Sequence, residues 1–326
     1  MILTIKQAAE LLKKGDVVAF PTETVYGLGA DATNPVAVQK IFAAKGRPSD
    51  NPLIVHLGDV AQIDTVAREI SDTARVLMDA FWPGALTVIL PKNPTICKEA
   101  TAGLDTVGVR LPSHPIALAL LRETGLPIAA PSANLSGKPS PTIAEHVLED
   151  FTGTIGGVLE GGAASIGLES TVIDCTVNPP CILRPGGVTR EMIEDVIGDV
   201  TVAQGSVMAP KSPGQKYRHY ATRAPLTIVN GDVTLLRQTI REAQGQGKRV
   251  GALVDAESMP FVDADIRISA GYRASPDTLA RGLFAALRKF DGFPLDVIYA
   301  QQFPETGIGA AVMNRLRRAA EGREIC

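Results

Sequence analysis

Two stretches of the 326-residue chain carry side chains fit for chemistry. The first is Pro21-Thr22-Glu23-Thr24-Val25-Tyr26-Gly27-Leu28-Gly29-Ala30-Asp31, where hydroxyls and a carboxylate give way to glycines. The second is Lys45-Gly46-Arg47-Pro48-Ser49-Asp50-Asn51-Pro52, two cations stiffened by two prolines. Hydroxyls facing a stiff cationic loop suit a small polar molecule bound beside a phosphate-bearing one. Glycines let backbone approach such ligands closely. Taken singly, each stretch also reads as an ordinary turn or a solvated loop. Their pairing in this order carries the signal.

The elements that must position these groups follow from hydrophobic pattern. Val17–Phe20 is short and rich in β-formers, so it reads as a buried strand. Its carboxyl end then presents the hydroxyls, which is where open α/β sheets hold ligands. Thr4 caps a first helix that Gly15 ends. Pro35–Ala44 reads as a helix with proline first and Gly46 after it. Leu53–Leu57 is a strand containing His56, either a satisfied core residue or, directly after the cationic loop, one that faces the pocket. A helix over Ser71–Phe81 precedes strands Ala85–Leu90 and Val107–Leu111. Arg110 breaks the last of these, and a cation there needs a partner. A carboxylate ligand and an internal Asp or Glu serve equally well.

Pro115–Thr124 is predicted as a helix and Pro127–Ala130 as a strand. The strand ends in Pro131-Ser132-Ala133-Asn134-Leu135-Ser136-Gly137-Lys138-Pro139-Ser140, a second hydroxyl-rich loop of the kind that binds phosphates and sugars. Its Ser-Gly-Lys lacks the first glycine of a Walker A loop. Further strands are expected around Ile155–Leu159 and Thr171–Asp174, and Ile182-Leu183-Arg184 then runs into the forced turn Pro185-Gly186-Gly187. Apolar periodicity stops after Val202, giving a linker over 204–224. Within it, Lys216-Tyr217-Arg218-His219-Tyr220 alternates cations with aromatics, a pattern that stacks on bases and grips phosphates. The linker is therefore read as a lid folding back over the site. From Pro225, strands Leu226–Val229, Val250–Val254, Ile266–Ile268 and Asp296–Tyr299 alternate with helices ending near Gln246, over Pro276–Phe290 and over Ile308–Glu321. This pattern predicts a parallel, Rossmann-like sheet. The fold class is α/β, divided as 1–203, 204–224 and 225–326.

Bulk composition narrows the function classes. Hydrophobic residues at 45% and charged residues at 21% are ordinary for a globular protein. A net charge of −3 supplies no general field for nucleic acid. The four cysteines form no C-x-x-C pair and have no histidine at ligand spacing, which argues against a zinc site or a disulfide framework. No signal peptide opens the chain and no run has the length of a membrane span, so a cytoplasmic protein is expected. Gly27-Leu28-Gly29-Ala30-Asp31-Ala32 matches a dinucleotide fingerprint. Against that, Asn34-Pro35 interrupts the required helix, and Asp50 sits in a proline-flanked loop instead of at a strand end. A plain RNA-binding module fits a basic face, but the net charge and the lack of aromatic platforms outside the linker weigh against it.

With these residues in view, the chain resembles the threonylcarbamoyl-AMP synthases of the two-domain long form. The resemblance rests on the Pro21–Leu28 stretch, Lys45-Gly46-Arg47-Pro48 with Asn51-Pro52-Leu53, Arg110-Leu111-Pro112, Pro131-Ser132-Ala133-Asn134, Ser170-Thr171, Leu183-Arg184-Pro185-Gly186, and Ser212-Pro213-Gly214 with Tyr217-Arg218-His219-Tyr220. It departs at Gln215, where an apolar residue is expected, and at Thr222, where proline is. The resemblance implies a YrdC-like twisted mixed sheet with helices, plus the smaller Rossmann-like domain. It also implies synthesis of threonylcarbamoyl-AMP and pyrophosphate from L-threonine, bicarbonate and ATP with Mg²⁺. The product would pass to a tRNA-modifying transferase complex, and weak RNA binding is admitted. Position by position, Thr24, His56, Arg110, Ala130 and Ser170 would hold threonine. Arg47, Asn51, Thr106, Ser132, Ser140, Arg184 and Tyr220 would hold ATP. Lys45 and Arg47 would be the catalytic cations, and no protein metal site is implied. Thr106 and Ala130 are assigned by resemblance alone.

Overall fold

Val18–Phe20 (β1) is the buried strand that the apolar run predicts, and it lies next to a strand that the sequence conceals. Gly27–Asp31 (β2) pairs antiparallel with β1, where the sequence suggests a polar loop. Its glycines are the physical reason for both facts. A Cβ on Gly29 would meet Ile128 Cγ2 and the Phe20 ring at 2.8 Å. Only a bare backbone fits there, and a glycine-rich strand carries no β-propensity signal. The same pairing disposes of the dinucleotide fingerprint, since these glycines lie in an antiparallel strand and open no helix. The helix Pro35–Lys45 starts later, capped by the Asn34 side chain, and ends at Gly46 in the left-handed region.

The computed structural model describes residues 1–203 and 219–326. It divides into Met1–Ser136, Pro141–Ser165 and Glu169–Tyr217 as a first unit, and Gly137–Ser140, Ile166–Leu168 and Arg218–Cys326 as a second. Most of the expected lid, Tyr217 included, falls outside the described residues.

The first unit adds Ile54–His56 (β3), Leu86–Pro91 (β4), Thr106–Arg110 (β5), Ile128–Ala129 (β6), Gly157–Val158 (β7), Thr171–Asp174 (β8), Cys181–Arg184 (β9) and Thr201–Val202 (β10). Among the described residues these form a ten-stranded mixed sheet in the order β10-β9-β8-β4-β5-β3-β6-β2-β1-β7. Leu12, Phe20, Leu120, Leu121 and Ile128 are buried together against one end of it. Besides the four-residue helix Ile63–Val66, two longer helices escape the sequence reading, Ala144–Phe151 and Arg190–Ile197. Both span only eight residues; the first has no side-chain cap, and the second buries only Ile193.

The second unit holds Leu226–Val229 (β11), Val250–Val254 (β12), Ile266–Ser269 (β13), Val297–Gln301 (β14) and Glu324–Ile325 (β15). They form a parallel sheet in the order β13-β12-β14-β11-β15. Only the two-residue β15 is unforeseen, being too short to show a period.

Candidate active site

Register brings the anomalous Arg110 beside His56, because β3 and β5 run parallel with these two residues paired. Arg110 is 3% exposed, so its charge must be answered nearby. Its Nη2 donates to Glu23 Oε1 at 2.6 Å, Nη1 to Thr24 Oγ1 at 2.8 Å, and Nε to the Gly84 carbonyl at 3.1 Å. The internal carboxylate that sequence left as one of two options is thus present, and it is Glu23. Each bond uses one N–H of one nitrogen. One N–H remains on each terminal nitrogen, the number a carboxylate fork requires.

Glu23 itself is half satisfied. Its Oε2 is buried with no hydrogen-bond partner. Burial alone would raise its pKa, but the Arg110 guanidinium, by charge and hydrogen bond, holds the carboxyl below its usual range. Thr24 is held by a directed chain of hydroxyls. Thr22 Oγ1 donates to the Val25 carbonyl at 2.6 Å, so Thr24 Oγ1 donates to Thr22 at 2.8 Å while accepting from Arg110. Glu23 was visible in the motif, yet sequence reasoning gave it no role. The signal that could have found it was the unpartnered cation in the β5 run.

His56 is buried, its Nδ1 3.2 Å from the Ile54 carbonyl and its ring edge-on to Phe20. Burial, reinforced by the Arg110 charge, pushes its pKa down to about 3. It is therefore a neutral group beside a fixed cation at any ordinary pH.

Ser170 lies beside the same turn. The Gly84 carbonyl accepts from Arg110, and the adjacent Ala85 carbonyl accepts from Thr171 N–H at 3.0 Å. Ser170 Oγ lies 2.8 Å from Thr87 Oγ1, and the Ser170 carbonyl accepts from Arg184 Nη2 at 2.9 Å. Gly186 makes this contact possible, because a Cβ there would meet Thr171 N at 2.3 Å. Thr24, His56, Arg110, Ser170 and Arg184 are thereby linked through strand pairing and direct bonds.

Lys45, the last residue of its helix, donates from Nζ to the Ser132 carbonyl at 2.5 Å and the Asn134 carbonyl at 2.6 Å. These bonds pin the hydroxyl-rich loop. Leu28 N–H to Pro131 O and Ala133 N–H to Tyr26 O, both 2.8 Å, lay that loop along the first motif. Ala130, whose N–H bonds the Ile54 carbonyl at 2.9 Å, and half-buried Ser132 belong to the same run. Asn51 is fully buried and Arg47 half-buried in the loop after Lys45. Thr106 opens β5 on the face that Arg110 shares, about 13 Å further along at the usual rise of a strand. Ser140 and Tyr220 belong to the second unit. The four cysteines are free. Burial pushes Cys175 up to about 12 and also raises Cys97, so neither is an activated nucleophile.

This arrangement is a YrdC-type sheet followed by a parallel α/β unit. The Sua5_yciO_yrdC family model, described as "Telomere recombination", matches residues 10–186. The model described as "Threonylcarbamoyl-AMP synthase, C-terminal domain" matches residues 188–321. A relative in Bacillus subtilis named threonylcarbamoyl-AMP synthase is 54% identical over 98% of this chain and 94% of its own. One of the same name in Pyrococcus abyssi is 49% identical over 98% and 95%. The crystal structure of P. abyssi Sua5 complexed with L-threonine superposes with a TM-score of 0.95 at 48% identity, covering 98% of this chain and 95% of that one. The chain belongs to the threonylcarbamoyl-AMP synthase family, in its two-domain form.

Proposed function

We propose that this chain is an L-threonylcarbamoyladenylate synthase, a nucleotidyltransferase working for N6-threonylcarbamoyladenosine modification of tRNA. The observation that carries the reading is the linked set Thr24–Arg110–Gly84/Ala85–Ser170–Arg184, in which a buried cation keeps N–H groups for a carboxylate. Thr24, His56, Arg110, Ala130 and Ser170 hold L-threonine. Arg47, Asn51, Thr106, Ser132, Ser140, Arg184 and Tyr220 hold ATP. Arg47 neutralises developing phosphate charge, and Lys45 contributes by fixing the loop that carries Ser132.

The amine of threonine adds to bicarbonate carbon with loss of water, giving an N-carboxylate. A carboxylate oxygen then attacks the α-phosphorus in line, and the bond to pyrophosphate breaks. Positioning and charge neutralisation supply the rate, with no bonded enzyme intermediate. Among the described residues no group of three or more His, Cys, Asp or Glu could cage a metal ion. Mg²⁺ therefore fits best on the phosphate oxygens, where it supplies further charge neutralisation. Neutral His56 faces the amino acid without competing for its carboxylate.

The mixed anhydride is labile, and the segment 204–224 between domains 1–203 and 225–326 serves as its lid. No helix among the described residues is long and apolar enough to cross a membrane. The setting is cytoplasmic, and the product passes to a tRNA-modifying transferase complex, with only weak RNA binding by this chain. The test is exchange of labelled pyrophosphate into ATP. It should require both L-threonine and bicarbonate; exchange that needs neither refutes the reading.

A further inference from the structure

The second unit contains more than its parallel sheet, because Gly137–Ser140 and Ile166–Leu168 are part of it. One helix, Pro276–Phe290, meets all of its outlying pieces. Gly167 lies so near that a Cβ would come within 2.4 Å of Arg281 Cα. The Tyr220 ring packs on Phe284 with centroids 4.9 Å apart, tilted by 31°. Arg288 donates to the Pro139 carbonyl twice, from Nε at 3.1 Å and from Nη2 at 2.7 Å. Positions 281, 284 and 288 follow the three- and four-residue spacing that forms a single stripe on a helix.

The pieces on that stripe are also tied to one another. Ala221 N–H donates to the Gly137 carbonyl at 2.8 Å. Tyr220 holds φ at +62°, in the left-handed region that non-glycine residues rarely adopt. Such a conformation persists where its surroundings over-determine it, and it clusters at ligand clamps. The two immobilised residues, Ser140 next to Pro139 and Tyr220, are the two nucleotide-site residues of this unit.

We infer that the Phe284–Arg288 stripe is a positioning device for the nucleotide: Arg288 fixes the loop that carries Ser140, and Phe284 fixes the ring of Tyr220. The inference rests on the reading that Ser140 and Tyr220 hold ATP. Arg288 and Phe284 act through their neighbours.

The experiment compares Arg288→Ala and Arg288→Lys with wild type and with Ser140→Ala and Tyr220→Ala, all in the full chain. It reads KM for ATP and for threonine, kcat, the affinity for a non-hydrolysable ATP analogue by calorimetry, and the melting temperature. Arg288→Ala should weaken the analogue and raise KM for ATP by about tenfold, the scale of one lost charged hydrogen-bond contact. Its KM for threonine should stay within about twofold, and Arg288→Lys should recover part of the loss because one donor returns. Unchanged analogue binding in Arg288→Ala, with Ser140→Ala weakened, overturns the inference and leaves the nucleotide reading intact. Parallel loss of ATP and threonine use with a lowered melting temperature also overturns it, as a general structural role. Should Ser140→Ala and Tyr220→Ala both bind the analogue normally, the underlying reading fails and takes the inference with it.

Discussion

Each unit has an ion pair built on a buried carboxylate, and the two pairs end differently. In the first unit Arg110 is enclosed with Glu23, yet Arg110 keeps two N–H groups and Glu23 keeps an unpartnered Oε2. In the second, Asp255 is 0% exposed and its network closes on itself. One Asp255 oxygen accepts from Ser258 N–H at 2.7 Å, the other from Arg273 Nε at 2.7 Å. The Gln301 side chain completes the ring, accepting from Asp255 N–H at 3.2 Å and donating to Ser258 Oγ at 3.0 Å. A closed polar network fastens loops at the carboxyl ends of β12 and β14. An open one leaves donors and acceptors unused, which is what a ligand would need. Both sit at a sheet, so position alone does not separate site from scaffold; leftover hydrogen-bonding capacity does.

Breaking the open pair should have the largest effect. Glu23→Ala strands a buried guanidinium and should cost about 3–5 kcal/mol in chemical denaturation. It should also impair threonine use far more than ATP use, while Glu23→Gln, which keeps an acceptor, should recover much of the stability. A Glu23→Ala protein as stable as wild type would erase the contrast between the units. Next comes the closed network. Asp255→Ala should cost up to about 3 kcal/mol by orphaning buried donors, while KM for threonine stays unchanged. A selective threonine defect there would show that the second network also serves the amino acid.

His56 gives a smaller, pH-dependent term. Its folded-state value of about 3 lies below the ordinary 6.5. Below pH 6.5 the unfolded chain binds a proton that the fold refuses, so stability falls as pH drops toward 3 and is flat above. The loss should reach about 2 kcal/mol at pH 5. His56→Gln should remove that slope, and an unchanged slope would place the titration elsewhere. The smallest change concerns the Asp232 side chain, which caps the helix Val233–Gly245 through the Thr234 and Leu235 N–H groups. Asp232→Ala should cost about 1 kcal/mol and leave every kinetic constant alone.

The candidate residues were legible where chemistry breaks pattern. Arg110 interrupts an apolar strand, and hydroxyls follow strands where turns alone would not require them. Its partner was not legible, since nothing in one dimension says that Glu23 and Arg110, separated by 87 positions, share a pocket. Lys45 shows the opposite limit. A lysine beside an arginine suggests phosphate, and only the folded loop shows that its ammonium also bonds two carbonyls. In the fold, strongly periodic elements such as Pro276–Phe290 read out to the residue. The strand Gly27–Asp31 did not, because its glycines answer to the Phe20 ring and carry no propensity of their own.

Calorimetric titration with L-threonine and with L-threoninol, which lacks the carboxylate, probes the open pair at its core. Threonine should bind, and threoninol should lose at least about a hundredfold, consistent with removal of a bidentate charged contact. Equal affinity for the two would mean that the spare N–H groups of Arg110 do not read the amino acid's acid group.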